Sequence, residues 1–449
     1  MLPINPGKSH LIQAKLPCLS LCRLLIFLMF FMALLFYPAA AQINNSPCVV
    51  EIREYPGRDP AMWRGLYAAR DGKVYTGLCG EGGSAHFYQY DPAVDSNRCI
   101  ADIAEFLGER GKGIRTSGKI HCRPVEDNEG NIYFISMNNG AGPRSIDFRS
   151  WQGGHWIKYD PNRDKLEDLG LVDHGVGCYP LAIDVTRNHL FGISYTGYLF
   201  RFDIEKRIST NLGRVDNWDI CRDIASDDQG NVYGCFPVSR IWKYDAKKGK
   251  VDDLSIRIPY DPTIFPTELK NPMLDRSTIW RAIEWDPVDR AFYGITCGSG
   301  SILFKYEPHL GPEGRVTDLG RLCDGRFLNT DSVKAIPYSP LAFAVDSRNR
   351  KVYFVPSARQ YAIREYVETF GSREDHHLIM YDLKENRRVD LGVLRTTDGR
   401  RVFGCEAASC GPDGTVYICG QAETKDPNKA TRFIGELPIA LHLVIYRPN

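Results

Sequence analysis

An all-β fold, a seven-bladed β-propeller of four-stranded antiparallel blades, is what this sequence predicts, on three observations. The first is a sevenfold recurrence of an apolar strand carrying a central aromatic, at Tyr75, Tyr133, Phe191, Tyr233, Tyr293, Tyr353 and Tyr417. The second is a partner strand after each of them, alternating in polarity and ending in an aromatic: FYQYD, WIKYD, LFRFD, IWKYD, LFKYE, LIMYD and LVIY. Alternation of this kind marks half-buried strands. The third is composition: 11% aromatic residues and 41 glycines suit short strands and tight turns better than long helices.

Most copies then carry an apolar Leu before a turn, as in EDLG, TNLG, DDLS, TDLG and VDLG, which supplies an outer strand. With an inner strand ahead of the aromatic, each repeat holds about four strands. Units that cannot bury their faces alone stack radially around a channel. The last copy ends at Tyr446 without an outer strand, and CVVEIREY, Cys48 to Tyr55, precedes the first blade. This N-terminal strand is expected to close the ring.

The chain of 449 residues is 43% hydrophobic, ample for a large core. Its 56 basic and 55 acidic residues give no global field, which excludes nucleic acid as a general partner. Residues 1–41 read as a signal peptide: Lys8, Lys15 and Arg23 precede the apolar run LLIFLMFFMALLFYP, and Ala39-Ala40-Ala41 offers a cleavage site. The expectation is a secreted or periplasmic protein with no stable membrane span after cleavage, its single propeller domain covering 42–449. Cys18 and Cys22 leave with the signal, and an even number of the 14 cysteines remains, so some disulfides are expected.

Aligning the repeats on the aromatic places the inner strands at MWRGL, IHCRP, CYPLA, ICRDI, IWRAI, PLAFA and GCEAA. Arg64, Arg123, Arg222 and Arg281 recur there, beside Trp63, Trp280 and Glu406. Guanidinium groups converging on a channel mouth suit carboxylate or sulfate, because the planar fork makes bidentate charge-assisted bonds. The same arginines could instead pair with Glu406 and fill the channel. His121 and Tyr179 occur once each on adjacent inner strands; an imidazole with an ordinary pKa of roughly 6.5 and a tyrosine near arginines can exchange protons at neutral pH. His86, His155, His377 and His442 all begin the third strand of a repeat, a recurrence that suits scaffold, with His155 set apart by the long loop before it.

Through GKIHCRP, EGNIYFI, GGHWIKYDP and GCYPLAID the chain resembles the secreted seven-bladed propeller polysaccharide lyases, ulvan-lyase-like and more distantly like oligogalacturonate lyase. The resemblance implies β-elimination on an acidic polysaccharide: a base removes the proton alpha to a uronate carboxylate, a cation or metal neutralises that carboxylate, and an acid protonates the leaving oxygen. His121 matches the family's first histidine and Tyr179 its tyrosine. The second histidine position falls at Met137 or Asn138 and the arginine position at Tyr195, so two of the four roles are not matched. The alternatives are a non-catalytic propeller that binds an anionic glycan or protein partner, and a hydrolase built on a structural or channel metal ion near Glu406 and Asp223.

Overall fold

The computed structural model describes residues 44–80, 83–138, 148–215, 223–236, 239–259, 279–296, 301–322, 336–338, 342–359, 376–434 and 436–448. The expected signal peptide, Arg222 and most of the loops after Met137, after Pro259 and after Arg359 lie outside them. Among the described residues no helix is long and apolar enough to cross a membrane.

The fold is an all-β propeller with four-stranded antiparallel blades. Sheets form in chain order from neighbouring strands, the first from Leu66–Ala68, Val74–Leu78, His86–Asp91 and Ser96–Asp102. The third, fourth and fifth repeat this order, starting at Cys178, Ala225 and Trp280; the second has five strands because its inner strand is split into Lys119–Ile120 and Val125–Glu126. Each repeat's inner strand packs beside the next one, and Val402–Cys410 returns to lie against Leu66–Ala68, which brings the end of the chain to its beginning.

Seven separate sheets are not what forms. Among the described residues five blade sheets stand alone, Ile336–Tyr338 pairs with Ser357–Arg359 as a small two-stranded sheet, and the last two repeats share one nine-stranded sheet. The cause is the N-terminal strand Pro47–Glu54. Its second half, Glu51–Glu54, pairs antiparallel with His442–Ile445 as the missing outer strand of the last repeat. Its first half, Pro47–Val50, crosses to pair parallel with Val393–Thr396 of the repeat before.

Side-chain chemistry explains the recurrence. All seven anchor aromatics are buried, and they pack between sheets: Tyr75 meets Tyr159 at 5.8 Å, Phe191 meets Tyr244 at 4.9 Å and Tyr233 meets Phe292 at 5.0 Å. A buried phenol needs a partner, which the preceding turn supplies. The Asp227 carboxylate accepts the Tyr233 hydroxyl at 3.0 Å, the Asn231 amide at 2.9 Å and two backbone N–H groups of the same turn. Gly230 in that turn has φ +81°, and a Cβ there would strike the Asp184 carboxylate at 2.3 Å, so only glycine fits.

The disulfide expectation fails among the described residues, where no cysteine pair is bridged. Cys48, Cys122, Cys178, Cys405 and Cys419 are buried, all but Cys122 within strands, and there a thiol packs as a small apolar group. Burial pushes the Cys122 and Cys419 thiols up to about 12, which keeps both protonated and unreactive.

Candidate functional site

The arginines of the inner strands meet acids there. Arg64, with 0% of its surface exposed, donates through Nη2 to Asp223 at 2.9 Å and Glu284 at 3.0 Å, and through Nη1 to the Phe343 carbonyl at 2.9 Å. Arg123 Nη1 reaches the same Glu284 oxygen at 3.0 Å. The remaining carboxylate valences take backbone N–H groups, Ile283 on Asp223 at 3.0 Å and Val345 on Glu284 at 3.1 Å. Among the described residues these two cations and two anions satisfy one another. Burial pushes the Asp223 carboxyl above the usual range against the pull of Arg64, whereas the Arg64 guanidinium, which burial alone would lower, is held up by Asp223 and Glu284.

Arg64 therefore ties repeats together rather than greeting an anion, and the same correction applies to Trp280. Its ring is buried against Phe304 and its Nε1 donates to the Asp223 carbonyl at 2.7 Å. Arg281 and Glu406 are also buried, the Glu406 carbonyl accepting the Arg64 backbone N–H at 3.3 Å. Arg222 lies outside the described residues. Sequence reading missed Glu284, although its place three residues after Arg281 on an inner strand was a usable signal.

A second group gathers around His121. The His121 and Tyr179 rings meet edge-on at 4.5 Å, and Trp63 stacks parallel to His121 at 5.9 Å. Lys119, overlooked in the sequence, puts its ammonium 3.7 Å over the Trp63 ring and 5.5 Å from the Tyr179 ring. Strand alternation explains the pairing, because residues two apart share a face, so GKIH presents Lys119 and His121 together. Tyr179 is delivered by an irregularity: its strand shifts register against the next between Cys178 and Leu181. His121 is 2% exposed and Lys119 9%, while Trp63 and Tyr179 are half-buried and form the accessible side. A cation over an aromatic face, beside an imidazole and a phenol, is equipped to hold a carboxylate and move a proton.

Two further expected site residues are engaged elsewhere. The Tyr195 hydroxyl donates to the Gly175 carbonyl at 3.4 Å. His155 Nδ1 lies 2.8 Å from Asp168 on the adjacent outer strand. This contact is one of a series: His377 lies 3.1 Å from Asp390, and His86 lies 2.7 Å from Asp59 and 3.7 Å from Asp102. The hydrogen bond to Asp59 raises the His86 pKa above 6.5, with burial acting against it. Because the folded value is the higher one, this contribution is complete below pH 6.5 and is lost as pH rises through the raised value. Denaturant titrations of His86→Gln and the wild type are therefore expected to differ most on the acid side of neutrality and to converge above it. Equal differences at all pH values would show that the imidazole does not titrate with folding.

Among the described residues no group of three or more His, Cys, Asp or Glu is placed to hold a metal ion. No protein-family model and no curated protein matches the sequence. In three dimensions the chain is similar to the β-propeller domain of Myceliophteria thermophila Cps50 (Swd1), with a TM-score of 0.53 at 11% identity, covering 89% of this chain and 100% of that one. It is also similar to a streptogramin B lyase, TM-score 0.52 at 10% identity over 88% of this chain and 96% of that one. A third is a catalytically inactive virginiamycin B lyase from Staphylococcus aureus with quinupristin, TM-score 0.52 at 9% identity, covering 89% and 99%. At such identities the likeness establishes fold alone. The chain is a β-propeller protein, and two of the propellers it resembles are lyases.

Proposed function

We propose that this is an exported propeller of seven repeats, the nine-stranded sheet counting as two, that binds an acidic polysaccharide at the Lys119, Trp63, His121 and Tyr179 cluster and cleaves it by β-elimination. The observation that carries the reading is the ammonium of Lys119 over Trp63, within reach of the half-buried Tyr179 ring. The uronate carboxylate sits against Lys119, which stabilises the enolate that forms when the alpha proton leaves. The sugar ring lies on Trp63. Tyr179, the more accessible member of the pair, exchanges the proton: the C–H bond breaks, a C=C bond forms, and the glycosidic C–O bond opens as its oxygen is protonated. His121 stands behind Tyr179 and orients it.

The test is to incubate the purified protein with uronate-containing polysaccharides and follow the ultraviolet absorbance of the unsaturated product. Tyr179→Phe and Lys119→Ala are each expected to slow the reaction about 10²-fold or more. No absorbance from any substrate overturns the elimination. The second reading, a non-catalytic binder of anionic glycans, is favoured by the pairing of Arg64 and Arg123 with Asp223 and Glu284, which takes these guanidinium groups away from a reacting sugar. It predicts binding that survives Tyr179→Phe but not Lys119→Ala.

A further inference from the structure

Four histidines recur on the third strands of their repeats: His86, His155 and His377 begin theirs and are each held by an aspartate, whereas His442 lies inside the longer strand Leu437–Tyr446. His442 is the exception. In its repeat the outer strand is the N-terminal segment, whose residue opposite His442 is Glu54, and Glu54 is taken by Lys429 at 2.6 Å. The imidazole instead donates from Nδ1 to the Ala440 carbonyl of its own strand at 2.9 Å. That fixes the tautomer and leaves Nε2 as an acceptor with no partner among the described residues. Burial, at 1% exposure, lowers the His442 pKa, with the Ala440 contact acting the other way, so the neutral ring persists at pH 7.

His442 lines a cavity of about 330 Å³ between the ring-closing strand and the last repeat. Tyr55 and Leu441 form apolar wall, and Arg58 and Lys429 stand on the polar side. Asp59 also touches the cavity, but His86 and Tyr88 occupy its two oxygens at 2.7 and 2.6 Å. Arg58 spends one N–H on the Ala430 carbonyl at 2.8 Å and makes no ion pair among the described residues, so most of its fork remains for a ligand. The volume falls at the small end of the ~300–1,000 Å³ range of ligand pockets.

We infer that this cavity is a second binding site, separate from the His121 cluster, for a small hydroxy acid of sugar size. The carboxylate pairs with Arg58, a hydroxyl donates to His442 Nε2, and the carbon skeleton lies on Leu441 and Tyr55. The site does not depend on the proposed elimination.

Titration calorimetry with D-galacturonate, glucose and acetate tests it. Saturable binding of galacturonate is expected, with glucose and acetate each weaker because each lacks one of the two groups. Arg58→Gln, at an exposed position that leaves folding intact, is expected to weaken galacturonate about tenfold or more, and His442→Ala similarly. Binding that is absent, or that persists undiminished in Arg58→Gln and His442→Ala, overturns the proposal.

Discussion

Arg64→Met leaves Asp223 and Glu284 buried beside each other, and the folded state is expected to lose about 3–5 kcal/mol, the cost of stranding buried charges. The loss is large because one guanidinium serves three repeats: Asp223 from the fourth, Glu284 from the fifth and the Phe343 carbonyl from the sixth. Denaturant midpoints at fixed m-value measure it. Adding Asp223→Asn and Glu284→Gln to the variant is expected to restore much of the loss, since amides tolerate the site without a counter-charge. The variant is also expected to become more pH-sensitive. The raised Asp223 pKa means that this group favours folding below the ordinary aspartate range and that the favour disappears as pH rises through the raised value. Removing Arg64 removes the attraction that restrains the rise, so the decline with pH steepens. A cost below about 1 kcal/mol, the scale of an exposed ion pair, would show that the network does not hold the repeats together.

Deleting residues 44–54 is expected to make the chain aggregate. The segment supplies eight register positions, four to each neighbouring repeat, and it buries Cys48 and Val50. Val50 alone accounts for about 1.5–3 kcal/mol of apolar transfer. Without the segment, two strands, Arg387–Thr396 and Leu437–Tyr446, present unpaired edges, a template for association between chains. Size-exclusion profiles and thermal scans of the truncated chain read the outcome, and a peptide of residues 44–56 added during refolding is expected to restore the elution profile of the full chain. A truncated chain that elutes and melts like the full one would show that the last repeat closes without it.

The repeat was legible because burial between sheets demands an aromatic in every copy, as Tyr75, Tyr233 and Tyr417 show. The fusion of the last two repeats was not legible. It rests on backbone pairing of Pro47–Val50 with Val393–Thr396, which leaves no mark in side-chain periodicity. The arginine crown was legible as residues but not as a charge balance, since Glu284 neutralises guanidinium groups from the first and second repeats rather than its neighbour in sequence. The expected cysteine bridges are missing among the described residues for a related reason: an even count says nothing about whether thiols sit on facing strands. His121 and Tyr179 came together because both were singular in otherwise repeating positions, and Lys119 escaped notice because its contribution is a distance to Trp63 that only the folded chain defines.

The N-terminal strand has a kinetic meaning as well. Its partners lie at the far end of the polypeptide, so the portion synthesised first is placed last, and the docking step closes a loop spanning almost the entire domain. Until the ribosome has delivered Tyr446, the early segment must wait unattached, and intermediates with two waiting edges will be the species that chaperones meet.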